Sequence, residues 1–170
     1  KAPQGDTPLV RLIGSGPIML QLLAAVEKLE KYGVRSEIWS ATSYGELRRE
    51  AMECERWNML HPTETPRVPK VTEILKDAEG PVVAASDYMK ALPDLIYRWV
   101  PGGLFALGTD GLGRSDTREA LRRFFEVDSQ CIVIASLKQL ADRGAVDAGV
   151  VSKAIADLGV DPEKADPAFS

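Results

Sequence analysis

Residues 9–17 read LVRLIGSGP, and this stretch decides the fold class of the chain. A short apolar run ends abruptly in glycine, serine, glycine and proline, which is typical of a strand, a tight turn and a helix with proline in its first turn. Beyond Pro17, apolar residues recur at helical spacing as far as Leu29, and Gly33 stands where a left-handed residue can end a helix. The stretch therefore predicts one strand–turn–helix unit.

The same unit recurs along the chain. Apolar runs at residues 36–40, 81–85 and 104–107 predict three more strands. Each is followed by a helical pattern, and the pattern at residues 88–100 carries Pro93 in its first turn or at a kink. Because parallel strands need crossovers, which helices occupy, this alternation predicts an α/β fold. We expect a three-layer α/β/α sandwich with a mostly parallel sheet of roughly four to five strands.

Helix ends are predicted from capping chemistry. Ser43 with Glu46 has capping-box spacing, and Asp116 with Glu119 has the same spacing before a later helix. Between these two helices, three prolines within residues 61–69 predict an extended segment on the surface.

Capping residues also delimit the last two helices. Asp128 before an apolar stretch and Gly144 after it favour a helix over a strand there, and Asp147 is expected to cap the final helix.

The chain is expected to form one domain. It has 170 residues, of which 45% are hydrophobic and 27% charged, and this suffices for a single core. We predict a linker over residues 1–8, the domain over residues 9–160 and a tail over residues 161–170. Because the first residue is Lys1 and a polar segment follows it, we consider the chain a candidate fragment of a longer protein.

Composition argues against several classes of partner. The net charge of −4 offers no broad positive field for nucleic acid. Cys54 and Cys131 lie too far apart for a disulfide framework or a zinc motif, which favours a reducing cytoplasm. We find no apolar stretch of about 20 residues and no leader, so the sequence predicts a protein that is neither secreted nor embedded in a membrane.

The turn from Gly14 to Pro17 is the first candidate site. Free amides at the start of a helix attract anions, but the dinucleotide fingerprint is incomplete, with Met19 in place of a third glycine and Ser40 in place of an acid after the second strand. We favour a sharp strand-to-helix turn. The alternative is a stand-alone α/β module that binds a nucleotide or another anionic effector at this turn.

The only histidine, His61, lies within seven residues of Cys54. A catalytic Cys–His pair would need hydrogen-bond contact and a third, orienting group, and proximity in sequence establishes neither. A packed or hydrogen-bonded His61 is the favoured interpretation. Trp57, close to the proline-rich segment, is a candidate anchor for a partner.

The glycine-rich loop at residues 108–116 follows the fourth strand, at the edge where open α/β sheets place ligands. Asp110 and Asp116 could hold a metal, but their spacing is not that of a calcium loop. A structural turn, a helix cap at Asp116 or an interface contact is favoured. The guanidinium of Arg114 is suited to a carboxylate on a partner chain or a neighbouring domain.

Four longer motifs carry a resemblance to a known family. They read CERWNMLHP (residues 54–62), ETPRVP (64–69), SDYMK (86–90) and GTDGLGRSD (108–116). In this order they resemble the carboxy-terminal domain of the homodimeric, thiamine-diphosphate-dependent pyruvate dehydrogenase components, which are members of the transketolase-like family. The similarity covers about residues 9–162. Leu112 departs from the phenylalanine that is usual in the family.

The resemblance implies a much larger parent enzyme, which decarboxylates pyruvate on thiamine diphosphate held with magnesium and passes the acetyl group to a lipoyl group on an acyltransferase. In this family the two preceding domains hold the cofactor at a dimer interface, and the carboxy-terminal domain supports dimer assembly. No catalytic, cofactor-binding or metal-binding residue is therefore assigned, and no cofactor is expected on this fragment. The implied partners are the remaining domains, a second subunit and the acyltransferase. The residues kept as interface or loop candidates are Trp57, His61, Asp110, Arg114 and Asp116.

Overall fold

A computed structural model describes residues 7–76 and 79–170 of the chain. The elements are β1 (Leu9–Gly14), α1 (Met19–Lys31), β2 (Arg35–Ser40), α2 (Tyr44–Leu60), α3 (Lys70–Leu75), β3 (Val82–Ala85), α4 (Ala91–Asp94), β4 (Phe105–Leu107), α5 (Arg118–Phe124), α6 (Ser129–Asp142) and α7 (Ala148–Asp157). Short 3₁₀ turns occupy Gly16–Ile18 and Tyr97–Trp99. Most of the predicted linker, residues 1–6, lies outside the described residues.

The four strands form one parallel sheet in the order β2-β1-β3-β4. In register, Leu12 of β1 stands opposite Ile38 of β2 on one side and Val83 of β3 on the other. Because β1 and β3 are the central strands, their side chains are nearly all buried on both faces of the sheet. The predicted α/β class and parallel sheet are confirmed.

Helices cover both faces of the sheet. On one face, Val10, Leu12 and Val83 pack with α1, α6 and α7. On the other, Ile13 and Val82 pack with the start of α2, with α3 and with the segment after α4. Neighbouring residues of a strand point to opposite faces, so β1 and β3 supply both cores, and the three-layer α/β/α arrangement is confirmed.

Arg11 is a buried cation within the apolar strand β1. Its guanidinium donates to the carbonyl oxygen of Leu75 at 2.7 Å and to that of Gly80 at 2.8 Å. Burial lowers the pKa of Arg11, and the nearby charge of Glu37 opposes that shift. Arg11 thereby holds the end of α3 and the residues just before β3 close to the sheet. It also gives a hydrogen-bond partner to two carbonyl groups that lie at or beyond the end of a regular element.

Most predicted helix caps are confirmed. The hydroxyl of Ser43 accepts from the amide of Glu46 at 3.2 Å. The carboxylates of Asp128 and Asp147 accept from amides in the first turns of α6 and α7, at 2.9 and 2.7 Å. Gly33 follows α1 with a φ of 70°, as a left-handed helix end requires.

Two local predictions are wrong. Asp116 is not the cap of α5. The cap is Thr117, which precedes the first turn in an extended conformation. The hydroxyl of Thr117 accepts from the amide of Ala120 at 3.2 Å. The carboxylate of Asp116 instead accepts from the amide of Thr117 at 2.7 Å. The helix expected over residues 88–100 is reduced to the four residues of α4 and a 3₁₀ turn. Pro93 lies in the first turn of α4, one of its two expected positions, and its missing amide and its ring exclude an α-helix that begins as early as residue 88.

None of the helices in the described part of the chain is long and apolar enough to cross a membrane.

Candidate functional site

Two of the quoted motifs meet at the carboxyl edge of the sheet, the edge at which its parallel strands end. Residues 86–90 directly follow β3, and residues 108–116 directly follow β4. Because β3 and β4 are neighbours and Ala85 stands opposite Leu107, the two loops leave the sheet side by side. This is the position at which open α/β sheets place binding groups.

Main-chain hydrogen bonds join the two loops. The amide of Ser86 donates to the carbonyl oxygen of Leu107 at 3.0 Å, and that of Thr109 donates to the carbonyl oxygen of Tyr88 at 2.9 Å. The carboxylate of Asp110 accepts from the amide of Lys90 at 3.2 Å, and its second oxygen lies 3.7 Å from the ammonium group of Lys90. Asp110 is therefore a bridge between the loops.

Gly108 allows the loops to approach this closely. A Cβ built on it would lie 2.5 Å from the amide nitrogen of Lys90 and 2.7 Å from the carbonyl oxygen of Tyr88. Both atoms belong to the main chain, so neither can move aside without shifting the neighbouring loop.

A half-buried ion pair anchors the first loop to α5. The guanidinium of Arg122 donates from Nε and from Nη2 to the two carboxylate oxygens of Asp87, at 3.0 and 2.7 Å. Arg122 is only 7% exposed. The sequence did not reveal this pair, because Asp87 and Arg122 are 35 residues apart. A bidentate pair in a half-buried site restricts both side chains and holds the loop in one position.

The other two candidates in the second loop lie against α5. The guanidinium carbon of Arg114 lies 4.1 Å from the ring centre of Phe124, an arrangement typical of a cation–π contact. The carboxylate of Asp116 accepts from the amide of Thr117, the residue before α5. Asp110, Arg114 and Asp116 lie in one loop and contact Lys90, Phe124 and Thr117, respectively.

Trp57 and His61 belong to a different region, the end of α2. Their rings stack with centres 4.5 Å apart and planes 8° apart, and Nδ1 of His61 lies 2.8 Å from the carbonyl oxygen of Trp57. The guanidinium of Arg67 lies over the indole of Trp57 at 4.2 Å, and Asn58 exchanges two hydrogen bonds with the main chain of Arg67. The motif therefore folds the proline-rich segment back onto α2, and His61 is hydrogen-bonded as favoured.

The thiol of Cys54 has its own hydrogen-bond partner. Its thiol donates to the carboxylate of Glu50 at 3.3 Å. Burial, and secondarily that carboxylate, raises the pKa of Cys54, which lowers the fraction of reactive thiolate. These contacts do not provide the activated nucleophile that a Cys–His pair requires.

The turn at residues 14–17 packs closely against the core. A Cβ on Gly14 would lie 2.7 Å from Cδ1 of buried Leu22, and the carbonyl oxygen of Gly14 accepts from the amide of Ala41 at 2.8 Å. This packing accounts for the glycine without a ligand. Anion binding at the turn stays a prediction.

Exposed apolar side chains at the carboxyl edge are a feature that sequence reasoning missed. Large apolar side chains with exposed area lie near the end of every strand: Leu20 at the start of α1 after β1, the partly exposed Trp39 in β2, Tyr88 and Met89 after β3, and Leu112 after β4. We refer to these five residues as the carboxyl-edge surface. Tyr88 is 70% exposed and Leu112 is 78% exposed. The pattern was not visible in the sequence, because exposure depends on which loops the fold brings to one edge.

Over residues 7–76 and 79–170, no three His, Cys, Asp or Glu side chains are grouped so that they could hold a metal ion.

Three comparisons place the chain among known proteins. The family model described as "Transketolase-like TK C-terminal domain" matches residues 1–128. The chain is 48% identical over 163 residues to a protein of Cupriavidus necator and 48% identical over 166 residues to one of Escherichia coli, both named "Pyruvate dehydrogenase E1 component". These matches cover 95% and 96% of this chain but only 18% of either relative, so the chain spans less than a fifth of their length.

Solved structures show the same fold at low sequence identity. A transketolase from Pichia stipitis, in complex with sedoheptulose 7-phosphate, matches with a TM-score of 0.55 and 15% identity over 85% of this chain and 18% of its own. A split-gene transketolase, described as an inactive β4 tetramer, matches with a TM-score of 0.53 and 16% identity over 79% of this chain and 40% of its own.

Proposed function

This chain belongs to the family of transketolase-like carboxy-terminal domains, and from that premise we propose that it is the carboxy-terminal, non-catalytic assembly domain of a pyruvate dehydrogenase E1 component. The parent enzyme would oxidatively decarboxylate pyruvate and acetylate the lipoyl group of an acyltransferase. Thiamine diphosphate with magnesium supplies the decarboxylation chemistry, and we propose that polypeptide outside this chain holds both.

The carboxyl-edge surface is the observation that carries the assembly role. Tyr88 and Leu112 are both mostly exposed to solvent, and they lie on the two neighbouring loops at the carboxyl edge of the sheet. Large apolar side chains of this kind are typical of surfaces that another protein surface covers. We propose that the remaining domains of the same enzyme and its second subunit cover them.

The contacts that hold the first loop, residues 86–90, support this role. Hydrogen bonds between the loops and the Asp87–Arg122 pair hold Tyr88 and its neighbours in one arrangement before any partner binds. Preorganisation of this kind lowers the entropy that association costs. In this proposal the chain contributes packing and loop positioning, and the acyltransferase is a partner of the whole enzyme.

The proposal is tested in the full-length enzyme with the double variant Tyr88→Lys/Leu112→Lys. Buried lysines at an apolar interface would raise the dimer dissociation constant about tenfold or more, or lower the first thermal unfolding transition. Sedimentation velocity and calorimetry measure the two effects. Met59→Lys is the matched control, because Met59 is 71% exposed but lies at the far end of α2.

Two results would count against the assembly role. One is a double variant with native circular dichroism whose dimerisation and unfolding equal those of the wild type. The other is that Met59→Lys weakens the dimer or lowers the unfolding temperature as much as the double variant does. Any added surface charge would then have the same effect, whatever its position.

The non-catalytic part of the proposal is tested on the chain alone. Titration with thiamine diphosphate and Mg²⁺ in a calorimeter is expected to give no magnesium-dependent heat, and pyruvate is expected to give no turnover. Saturable binding in the micromolar range would contradict the proposal.

A further inference from the structure

The segment at residues 161–170, which we call the carboxy-terminal strap, folds back over the chain after α7. Two local turns shape it: the carboxylate of Asp161 accepts from the amide of Glu163 at 2.9 Å, and that of Asp166 accepts from the amide of Ala168 at 2.8 Å. Pro167 is buried. The strap therefore has a defined path and contacts α5 and the loop at residues 108–116.

The first anchor of the strap is Lys164. Its ammonium group donates to the carbonyl oxygen of Phe124 at 2.7 Å and to the carboxylate of Glu126 at 2.8 Å. It also lies 5.2 Å from the ring centre of Phe124. Because the last carbonyl groups of a helix have no partner within that helix, a cation placed here satisfies one of them and stabilises the end of α5.

The second anchor is a contact between two main chains. Gly111 has a φ of 107°, and a Cβ built on it would overlap the carbonyl oxygen of Pro167 and lie 3.1 Å from Cα of Ala168. The strap therefore rests directly on the loop at a position where only glycine leaves room for it.

The loop has little support of its own at this point. Within the described ranges, no main-chain-to-main-chain hydrogen bond involves residues 110–116. Beyond Asp110, its main contacts are the stacking of Arg114 on Phe124 and the strap on Gly111. Phe124 is also the residue that Lys164 binds, so the strap supports both contacts.

From these contacts we propose that the carboxy-terminal strap is a clamp that fixes the loop at residues 108–116. While the strap is docked, Gly111 and Arg114 keep the positions described here. When Lys164 is released, the loop moves while β4 stays paired with β3 and the amide of Thr109 stays bonded to Tyr88, because the strap takes no part in these main-chain hydrogen bonds. This inference concerns contacts within the chain and does not depend on the proposed assembly role.

Trypsin cleavage after Arg114 in the full-length protein measures the freedom of the loop. Lys164→Met keeps the length of the side chain but removes its charge, and we expect cleavage after Arg114 to become about tenfold faster, as the loss of a charge-assisted anchor predicts. Cleavage after Arg143 serves as the internal reference. Lys153→Met, at an exposed position of α7, is the matched control and is expected to leave the rate unchanged.

Two further variants make the test decisive. Lys164→Arg retains the cation and is expected to restore slow cleavage. Gly111→Ala adds a methyl group to the loop at the point where Pro167 of the strap rests, and so pushes the strap away. It is expected to accelerate cleavage after Arg114 as Lys164→Met does. Mass spectrometry of the fragments reports each site separately. Equal cleavage rates after Arg114 in the wild type and in Lys164→Met would overturn the inference, as would an equal acceleration in Lys153→Met.

Discussion

Arg122 donates two hydrogen bonds to the carboxylate of Asp87, 35 residues earlier in the chain. The pair joins α5 to the loop after β3, and it is the only described ion pair in which the arginine side chain is less than 10% exposed. Breaking this pair should lower the free energy of unfolding more than breaking a surface pair does, because the charge that remains lies in a site with little water.

We expect Asp87→Ala to lower the free energy of unfolding by about 2–3 kcal/mol, below the value for a fully buried pair because Asp87 is partly exposed. Urea unfolding of the chain measures the change. Arg49→Ala, which breaks a well-exposed pair with Glu46, is the control and should change the stability by about 0.5 kcal/mol or less. Similar losses in the two variants would contradict this account of Arg122.

Gly108→Ala is expected to destabilise the chain by about 2–4 kcal/mol, since the new methyl group meets main-chain atoms of Tyr88 and Lys90. Gly113→Ala is the matched control in the same loop, because a Cβ there meets nothing within 4 Å. Its effect should be within about 0.5 kcal/mol of zero. Thermal unfolding followed by circular dichroism distinguishes the two variants, and equal midpoints would refute the close approach at Gly108.

Thr117, and not Asp116, is expected to control the stability of α5. Thr117→Ala removes the side-chain acceptor for the amide of Ala120 and should cost about 1 kcal/mol. Asp116→Ala removes an acceptor outside the helix and should cost less. Parallel urea titrations measure both changes, and a larger loss for Asp116→Ala would restore the sequence-based assignment of the cap.

Cys131 should react slowly and should make the fold sensitive to alkali. Burial, followed by the charge of Asp128, raises the pKa of Cys131 to about 12 from the value of 9.0 for a free thiol. At pH 8 we expect alkylation by iodoacetamide to be on the order of a hundredfold slower than in the urea-unfolded chain. Mass spectrometry after a timed quench measures the rate, and equal rates would contradict the protonated, buried thiol.

The raised pKa values also set the direction of the pH dependence. Above pH 9 the unfolded chain loses the proton of Cys131 while the folded chain keeps it, so the folded state binds more protons and the free energy of unfolding falls as the pH rises towards 12. Tyr44, whose pKa burial raises from 10.0 to about 12, adds to the same loss above pH 10. Urea unfolding at pH 8.0, 9.5 and 10.5 measures this fall in the free energy of unfolding. In Cys131→Ala the fall between pH 8.0 and 9.5 should be smaller than in the wild type.

The sequence by itself determined the order of the elements and most of their ends. Strand β1, the left-handed residue Gly33 and the caps at Ser43 and Asp128 depend on interactions within a few residues, which periodicity and capping chemistry describe directly. The quoted motifs likewise indicated the family, because long runs of specific residues are visible without any knowledge of contacts.

Only the tertiary structure decided how the loops at the carboxyl edge are held. The Asp87–Arg122 pair, the strap on Gly111 and the exposure of Tyr88 and Leu112 join segments far apart in sequence, and no local pattern encodes such pairings. The helix expected over residues 88–100 is broken for the same reason. Its first residues bind the neighbouring loop, and these contacts, together with Pro93, outweigh a helical propensity that is only a weak local preference.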